Sequence, residues 1–126
     1  MSLPPSPQAT LYVMSRDRAA ILPFWRDTLG LTVTEDAPHA VTLAGAGVDL
    51  QIVTASDATA SPHPILSWTV PDIVATSTAL AARGVVFHSY PGMTEGPLGL
   101  CTLPDGSRMN WFSDPEGHVL MLVQPA

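Results

Sequence analysis

The sequence predicts an α+β domain in which one β-α-β-β-β unit is used twice, forming a curved, cup-like mixed sheet. Three observations carry this. Residues 8–54 and 65–124 repeat one order: strand, capping Asp, helix, stopping Gly, three strands. The interval from helix start to stop nearly matches, thirteen positions from Asp17 to Gly30 and twelve from Asp72 to Gly84. Between the halves, residues 55–64 (ASDATASPHP) are small and polar and read as a linker. Helices on one side of such sheets leave a concavity on the other, the default place for a ligand.

The elements follow in order. Residues 1–7 are polar and proline-rich and read as a loose tail, without the basic stretch or apolar core of a secretory signal; residues 8–126 read as the single domain. Thr10–Met14, TLYVM, has the apolar character of a buried strand. Ser15 is placed to cap a helix over about Arg16–Leu29, whose Ile21, Leu22, Trp25 and Leu29 share one face. Pro23 removes a backbone donor inside it, which predicts a kink or a late start, and Gly30 ends it. Strands are expected at Leu31–Thr34, Ala40–Leu43 and Val48–Thr54, with Gly45-Ala46-Gly47 as a hairpin turn. In the second half, Ile65–Val70 is a strand and Asp72 caps a helix to about Arg83, stopped by Gly84. Strands then follow at Val85–Phe87, Leu98–Leu103, Arg108–Ser113 and His118–Val123. Pro104-Asp105-Gly106 and Asp114-Pro115-Glu116-Gly117 are turns.

The charge pattern narrows the partners. Net charge is −6 and there are five Arg and no Lys, with only Arg16 and Arg18 close together, so a nucleic-acid surface is not expected. No apolar run approaches the roughly 20 residues that span a bilayer, so no membrane partner is expected. One cysteine, Cys101, leaves no internal disulfide, and a cytoplasmic location follows as the default expectation.

Three stretches carry a resemblance. Phe24-Trp25-Arg26-Asp27-Thr28-Leu29-Gly30-Leu31, Leu80-Ala81-Ala82-Arg83-Gly84-Val85 and Trp111-Phe112-Ser113-Asp114-Pro115-Glu116-Gly117-His118 stand in a fixed order across residues 8–124. In order and spacing the chain resembles the vicinal-oxygen-chelate superfamily, the glyoxalase, bleomycin-resistance and extradiol-dioxygenase group. Tyr90-Pro91-Gly92-Met93 followed by Leu98-Gly99 is similar to a loop of many bacterial members. Such motifs identify a fold, and function has to come from the site.

The resemblance implies a divalent metal held by His, Glu or Gln at four inward strand positions, where a Lewis acid would bind vicinal oxygens. Counting from the motifs puts Thr10, Gln51, Ile65 and Met121 there. Only Gln51 is of a ligand type, and a hard metal does not select a thioether, so loss of the metal site is expected and no cofactor is assigned. His63, two residues before Ile65, is the histidine that a register error would bring onto the site; His39, His88 and His118 read as surface or turn residues. A serine or cysteine nucleophile needs a base beside it, and Cys101 is a lone thiol in an apolar segment that reads as a buried small hydrophobe, so no catalytic residue is assigned. Alternation places Thr10, Tyr12, Gln51, Ile65, Ser67 and Met121 on one side, joined by Met109 and Trp111, as the lining for a small apolar or aromatic molecule. Met93–Pro97 is expected to cover its mouth.

The expected function is a metal-free binding protein similar to the bleomycin-resistance branch, working as a homodimer. The alternative is a divalent-metal-dependent lyase, isomerase or dioxygenase of the same superfamily. A third reading is an accessory domain that takes a partner protein into its pocket.

Overall fold

The computed structural model describes residues 2–126; of the expected tail, Met1 lies outside the described residues. Two four-stranded sheets form the molecule. The first contains β1 (Thr10–Ser15), β2 (Thr32–Asp36), β3 (Ala40–Ala44) and β4 (Asp49–Thr54) in the order β1-β4-β3-β2. The second contains β5 (Pro64–Thr69), β6 (Cys101–Thr102), β7 (Arg108–Ser113) and β8 (Val119–Gln124) in the order β5-β8-β7-β6. In each, the first and last strands pair in parallel and the other pairs are antiparallel. The predicted α+β class and the repeated β-α-β-β-β order are therefore the observed ones.

Local chemistry explains the helices. In α2 (Ile73–Ala82), Asp72 Oδ1 accepts the Ala75 N–H at 3.0 Å, the expected cap. The first helix differs from the expected single run over Arg16–Leu29. It is a short α1 (Arg18–Pro23) that widens into a π-helical turn over Phe24–Thr28. Pro23 has no N–H to give, and the chain continues by the longer bond from Leu29 N to Phe24 O, 2.9 Å. Ser15 does not cap it as expected: Asp17 holds the cap position, and Ser15 Oγ accepts the Asp17 N–H at 3.1 Å instead.

Two expected strands are corrected. Val85–Phe87 joins no ladder, and Leu98–Leu103 shrinks to Cys101–Thr102. The chain between them is consumed by turns: Tyr90 O accepts the N–H groups of both Met93 and Thr94, and Gly92, Gly96 and Gly99 have positive φ. His88 N to Trp111 O, 2.8 Å, ties this segment to β7. At Gly99 the backbones come so close that a Cβ would run into the His88 carbonyl oxygen.

Each sheet gives one face to a shared core. Val13, Val41, Leu43, Leu50 and Ile52 from the first sheet pack in one cluster with Phe112, Leu120 and Leu122 from the second, and Trp25 and Ile73 sit among them. The halves are also joined by hydrogen bonds. Trp25 is fully buried and donates its Nε1–H to Asp114 Oδ2 at 3.0 Å. Asp114 Oδ1 accepts from Glu116 N at 3.0 Å and His118 N at 2.9 Å, the self-bonding expected of this turn. The His118 ring places Nδ1 2.7 Å from Asp114 Oδ2 and Nε2 2.9 Å from Met14 O. Glu116 Oε2 accepts the Ser15 hydroxyl at 2.5 Å and the Asp17 N–H at 3.2 Å, while Oε1 accepts the Arg16 N–H at 3.1 Å. His118, expected as a surface or turn residue, is therefore a buried strut between the halves.

Two outcomes follow for stability. Trp25→Phe keeps most of the packing but removes a donor from a buried carboxylate, and should cost about 1–3 kcal/mol in denaturant unfolding; a change near zero would mean that Asp114 finds another donor. Partial burial pushes the Glu116 carboxyl up, yet the bonds from Ser15, Arg16 and Asp17 and the nearby His118 outweigh it and hold it below the usual carboxylate range. A folded-state pKa below the unfolded value near 4.3 gives stability that is full above that pH and lost as pH falls through the lower folded value. Glu116→Gln should therefore lower Tm at pH 7 and flatten its decline below about pH 4.3, read by melting across a pH series.

Candidate functional site

The candidate residues fall into two groups. Thr10, Tyr12 and Gln51 share the face of the first sheet turned away from the core, with Tyr12 directly beside Gln51 and Thr10 beside Asp49. Ser67, Met109, Trp111 and Met121 share the corresponding face of the second sheet, where Ser67 and Trp111 flank Met121 in register. Ile65 sits at the irregularity between Pro64 and Leu66, where alternation fails, and is half-buried against the core rather than set on that face. No hydrogen-bonded strand pair joins the two sheets. Tyr12 is 58% exposed and Met14, next along its face, 43%. The single chain thus brings the candidates together as two open faces.

Three cavities of the chain are lined by other residues. A groove of about 550 Å³ runs between the first helix and residues 83–88, one of about 490 Å³ lies beside Pro7–Ala9, and one of about 250 Å³ lies between the modules.

The second face has a richer chemistry than the sequence disclosed. Tyr90 packs edge-on against Trp111, with ring centroids 5.7 Å apart at 83°. His88 stands between two hydroxyls: Nδ1 is 2.8 Å from Tyr90 Oη and Nε2 is 2.8 Å from Ser113 Oγ. Extending the Met109–Trp111 alternation by two residues would have found Ser113. Nothing local signalled His88 and Tyr90, which arrive through the turns of residues 89–100. The Trp25 and Trp68 indole N–H groups are committed to Asp114 and to the Ala46 carbonyl; among the described residues Trp111 makes no such bond. The face therefore offers an aromatic surface, an uncommitted N–H and a row of hydroxyl and imidazole groups.

In space, Ser113 has a base beside it, the His88 ring. The base is held by Tyr90 rather than a carboxylate, however. Either hydroxyl can donate or accept, so both neutral tautomers of His88 are satisfied and neither is polarised toward Ser113 as a carboxylate would polarise it. In the expected covering loop, Met93–Pro97 folds back through a bridge between Glu95 and Leu100, and the preceding Tyr90 reaches Trp111. Cys101 is buried, as a small hydrophobe would be.

A metal can be tested against these donors. Thr10 and Gln51 lie on one sheet and Ile65 and Met121 on the other, supplying a hydroxyl, an amide, a hydrocarbon and a thioether. That set does not fit a hard divalent ion, which needs several anionic or imidazole ligands in fixed geometry. His63 is exposed, and its backbone N–H donates to Ser61 Oγ at 3.1 Å. Among the described residues no three His, Cys, Asp or Glu side chains converge.

Comparison with known proteins agrees with this architecture. A family profile described as the Glyoxalase/Bleomycin resistance protein/Dioxygenase superfamily matches residues 8–122. Among solved structures, the chain is similar to a glyoxalase/bleomycin resistance protein/dioxygenase from Nocardioides, at 20% identity and TM-score 0.72, covering 98% of this chain and 86% of that one. A putative glyoxalase family protein from Bacillus anthracis aligns over 100% of both chains at 12% identity and TM-score 0.74. A lactoylglutathione lyase from Agrobacterium tumefaciens aligns over 96% of this chain and 95% of its own, at 19% identity and TM-score 0.67. At such identities the likeness is one of fold. No curated protein matches the chain.

Gly99→Ala tests how the second face is held. A side chain there has φ +58° and would run into the His88 carbonyl. It should destabilise the protein by about 2 kcal/mol or more and draw Tyr90 off Trp111, seen as a shifted fluorine resonance of 5-fluoro-Trp111. An unmoved resonance would mean that Tyr90 is held independently of the Gly99 approach.

Proposed function

From the premise that the chain belongs to the Glyoxalase/Bleomycin resistance protein/Dioxygenase superfamily, we propose that it is a binding member of that group, holding a small apolar or aromatic molecule without a metal. The observation that carries this is the second sheet face. Trp111, edged by Tyr90 and flanked by His88, Ser113 and Met121, presents ring surface with hydroxyl and imidazole groups beside it, where the corresponding donors do not suit a divalent ion. An aromatic guest gains stacking and buried area on such a surface. A polar substituent on it can meet the Trp111 N–H or the hydroxyl row.

Assembly is part of the proposal. Each sheet commits one face to the shared core, so its other face looks outward. A homodimer that seats the first sheet of one protomer over the second sheet of its partner would close two equivalent cups around the candidate residues. Charged residues are only 13% of the chain, less than the roughly 25% typical of globular domains, which favours covering such faces.

The metal-dependent alternative draws its support from the likeness to a lactoylglutathione lyase. The two readings separate on purified protein. The binding reading expects no stoichiometric Zn, Ni, Fe or Mn and no change in Tm with EDTA; one tightly held ion per chain would defeat it, with His63 then the first residue to substitute. A thermal-shift screen against metabolites and antibiotics should find a ligand that adds about 2.7 kcal/mol at a hundred times its Kd, and Trp111→Ala should weaken that ligand by about 2 kcal/mol or more. Sedimentation should give a dimer whose interface buries more than about 1,000 Å² in total; a monomer at micromolar concentration would remove the composite cup.

A further inference from the structure

The cavity of about 250 Å³ lies at the seam between the modules, apart from both open faces. Leu29 and Leu31 wall it from the first module, and Trp68, Leu80, Phe112 and Leu122 from the second. Gly45 completes the wall, where φ is +103° and a Cβ would lie 3.7 Å from the Leu31 side chain. No charged residue lines it. The Trp68 N–H is already bonded to the Ala46 carbonyl at 3.0 Å, across the same seam. Thr69 alternates with Trp68 and so turns its hydroxyl to the other face of the sheet, which leaves Thr76 as the polar side chain in the wall.

These features select an occupant. An ordered water needs two to four polar partners, and Thr76 is the polar side chain this wall offers. A charged molecule would lose its hydration with nothing to replace it. An apolar cavity of about 150 Å³ suffices to take up benzene, so this one has room for one ring or two fused rings. We infer that the module seam is a second binding site, taking a neutral hydrocarbon-like molecule of one or two rings. Its occupant touches both modules, so its binding is coupled to how they seat on each other. The site does not depend on the sheet-face reading.

The test uses the full chain with carbon-13-labelled Leu and Met methyl groups, and toluene and benzoate as neutral and anionic probes of similar size. Toluene should shift the Leu29, Leu31, Leu80 and Leu122 methyls saturably and leave those of Met109 and Met121 in place. Benzoate should move none of the four leucines. Leu80→Phe fills the cavity and should weaken toluene at least ten-fold. Thr76→Met, at a half-exposed helix position, should do the same and serves if Leu80→Phe does not fold. Trp111→Ala should leave the toluene affinity unchanged. Absence of a saturable leucine shift, equal response to benzoate, or full affinity in a folded filled variant each overturns the site. Shifts confined to Met109 and Met121 overturn it as well and assign toluene to the sheet face.

Discussion

Asp114 is the point on which the two halves depend. Its side chain is fully buried, a setting in which an unsatisfied charge costs several kcal/mol. Four donors meet it: the Trp25 indole, the amides of Glu116 and His118, and the His118 ring. One comes from the first module and three from its own turn, so the set is complete only when the modules are seated. The same turn then reaches back through Glu116 and His118 to Ser15, Arg16, Asp17 and Met14. A tight turn that looks like punctuation between two strands is also the bracket that fixes one sheet against the other.

That bracket decides what the open faces can do. With Trp25 and Phe112 in one core, both sheets direct their apolar sides inward, and the alternate residues face out. The candidates on the first sheet, Thr10, Tyr12 and Gln51, and those on the second, around Trp111 and Met121, are thereby kept on separate sheets. Closing a pocket around both sets is consequently a matter for assembly, whereas the seam cleft is formed by the folding of one chain.

Much of this was legible in the sequence. The duplicated order, the Asp72 cap, the glycine stops and the self-bonded Asp114 are local or periodic features, and local chemistry fixes them. Face assignment within each strand was also legible, because alternation alone determines it. What was not legible depends on contacts distant in sequence. His118 reads as a turn residue until Met14 O is placed beside it, and Ser15 reads as a cap until Glu116 claims its hydroxyl. His88 and Tyr90 sit in a segment whose strand pattern fails because three glycines turn the chain back on itself, and only that reversal brings them to Ser113 and Trp111. The π-helical turn after Pro23 is an intermediate case: the missing donor predicted an irregularity without fixing its form.

The three tryptophans separate structural from binding roles. An indole N–H that is buried needs an acceptor, and such bonds mark residues that the fold itself uses. Trp25 gives its N–H to Asp114 and Trp68 gives its own to Ala46, each across the module boundary. Both are fastenings, and a ligand taking either N–H would have to break a bond between the halves. Trp111 has no such commitment and lies half-buried on a face the core does not use, with Tyr90 holding its edge. Removing Trp111 should therefore leave the seam intact while emptying the sheet face of its main ring surface. The seam cavity has the opposite character, since Trp68 lines it while its N–H stays fastened, so that an occupant meets only the ring. Polar recognition is thus richer on the outward face than at the seam, where Thr76 is the polar side chain in the wall, and the two sites are suited to chemically different molecules.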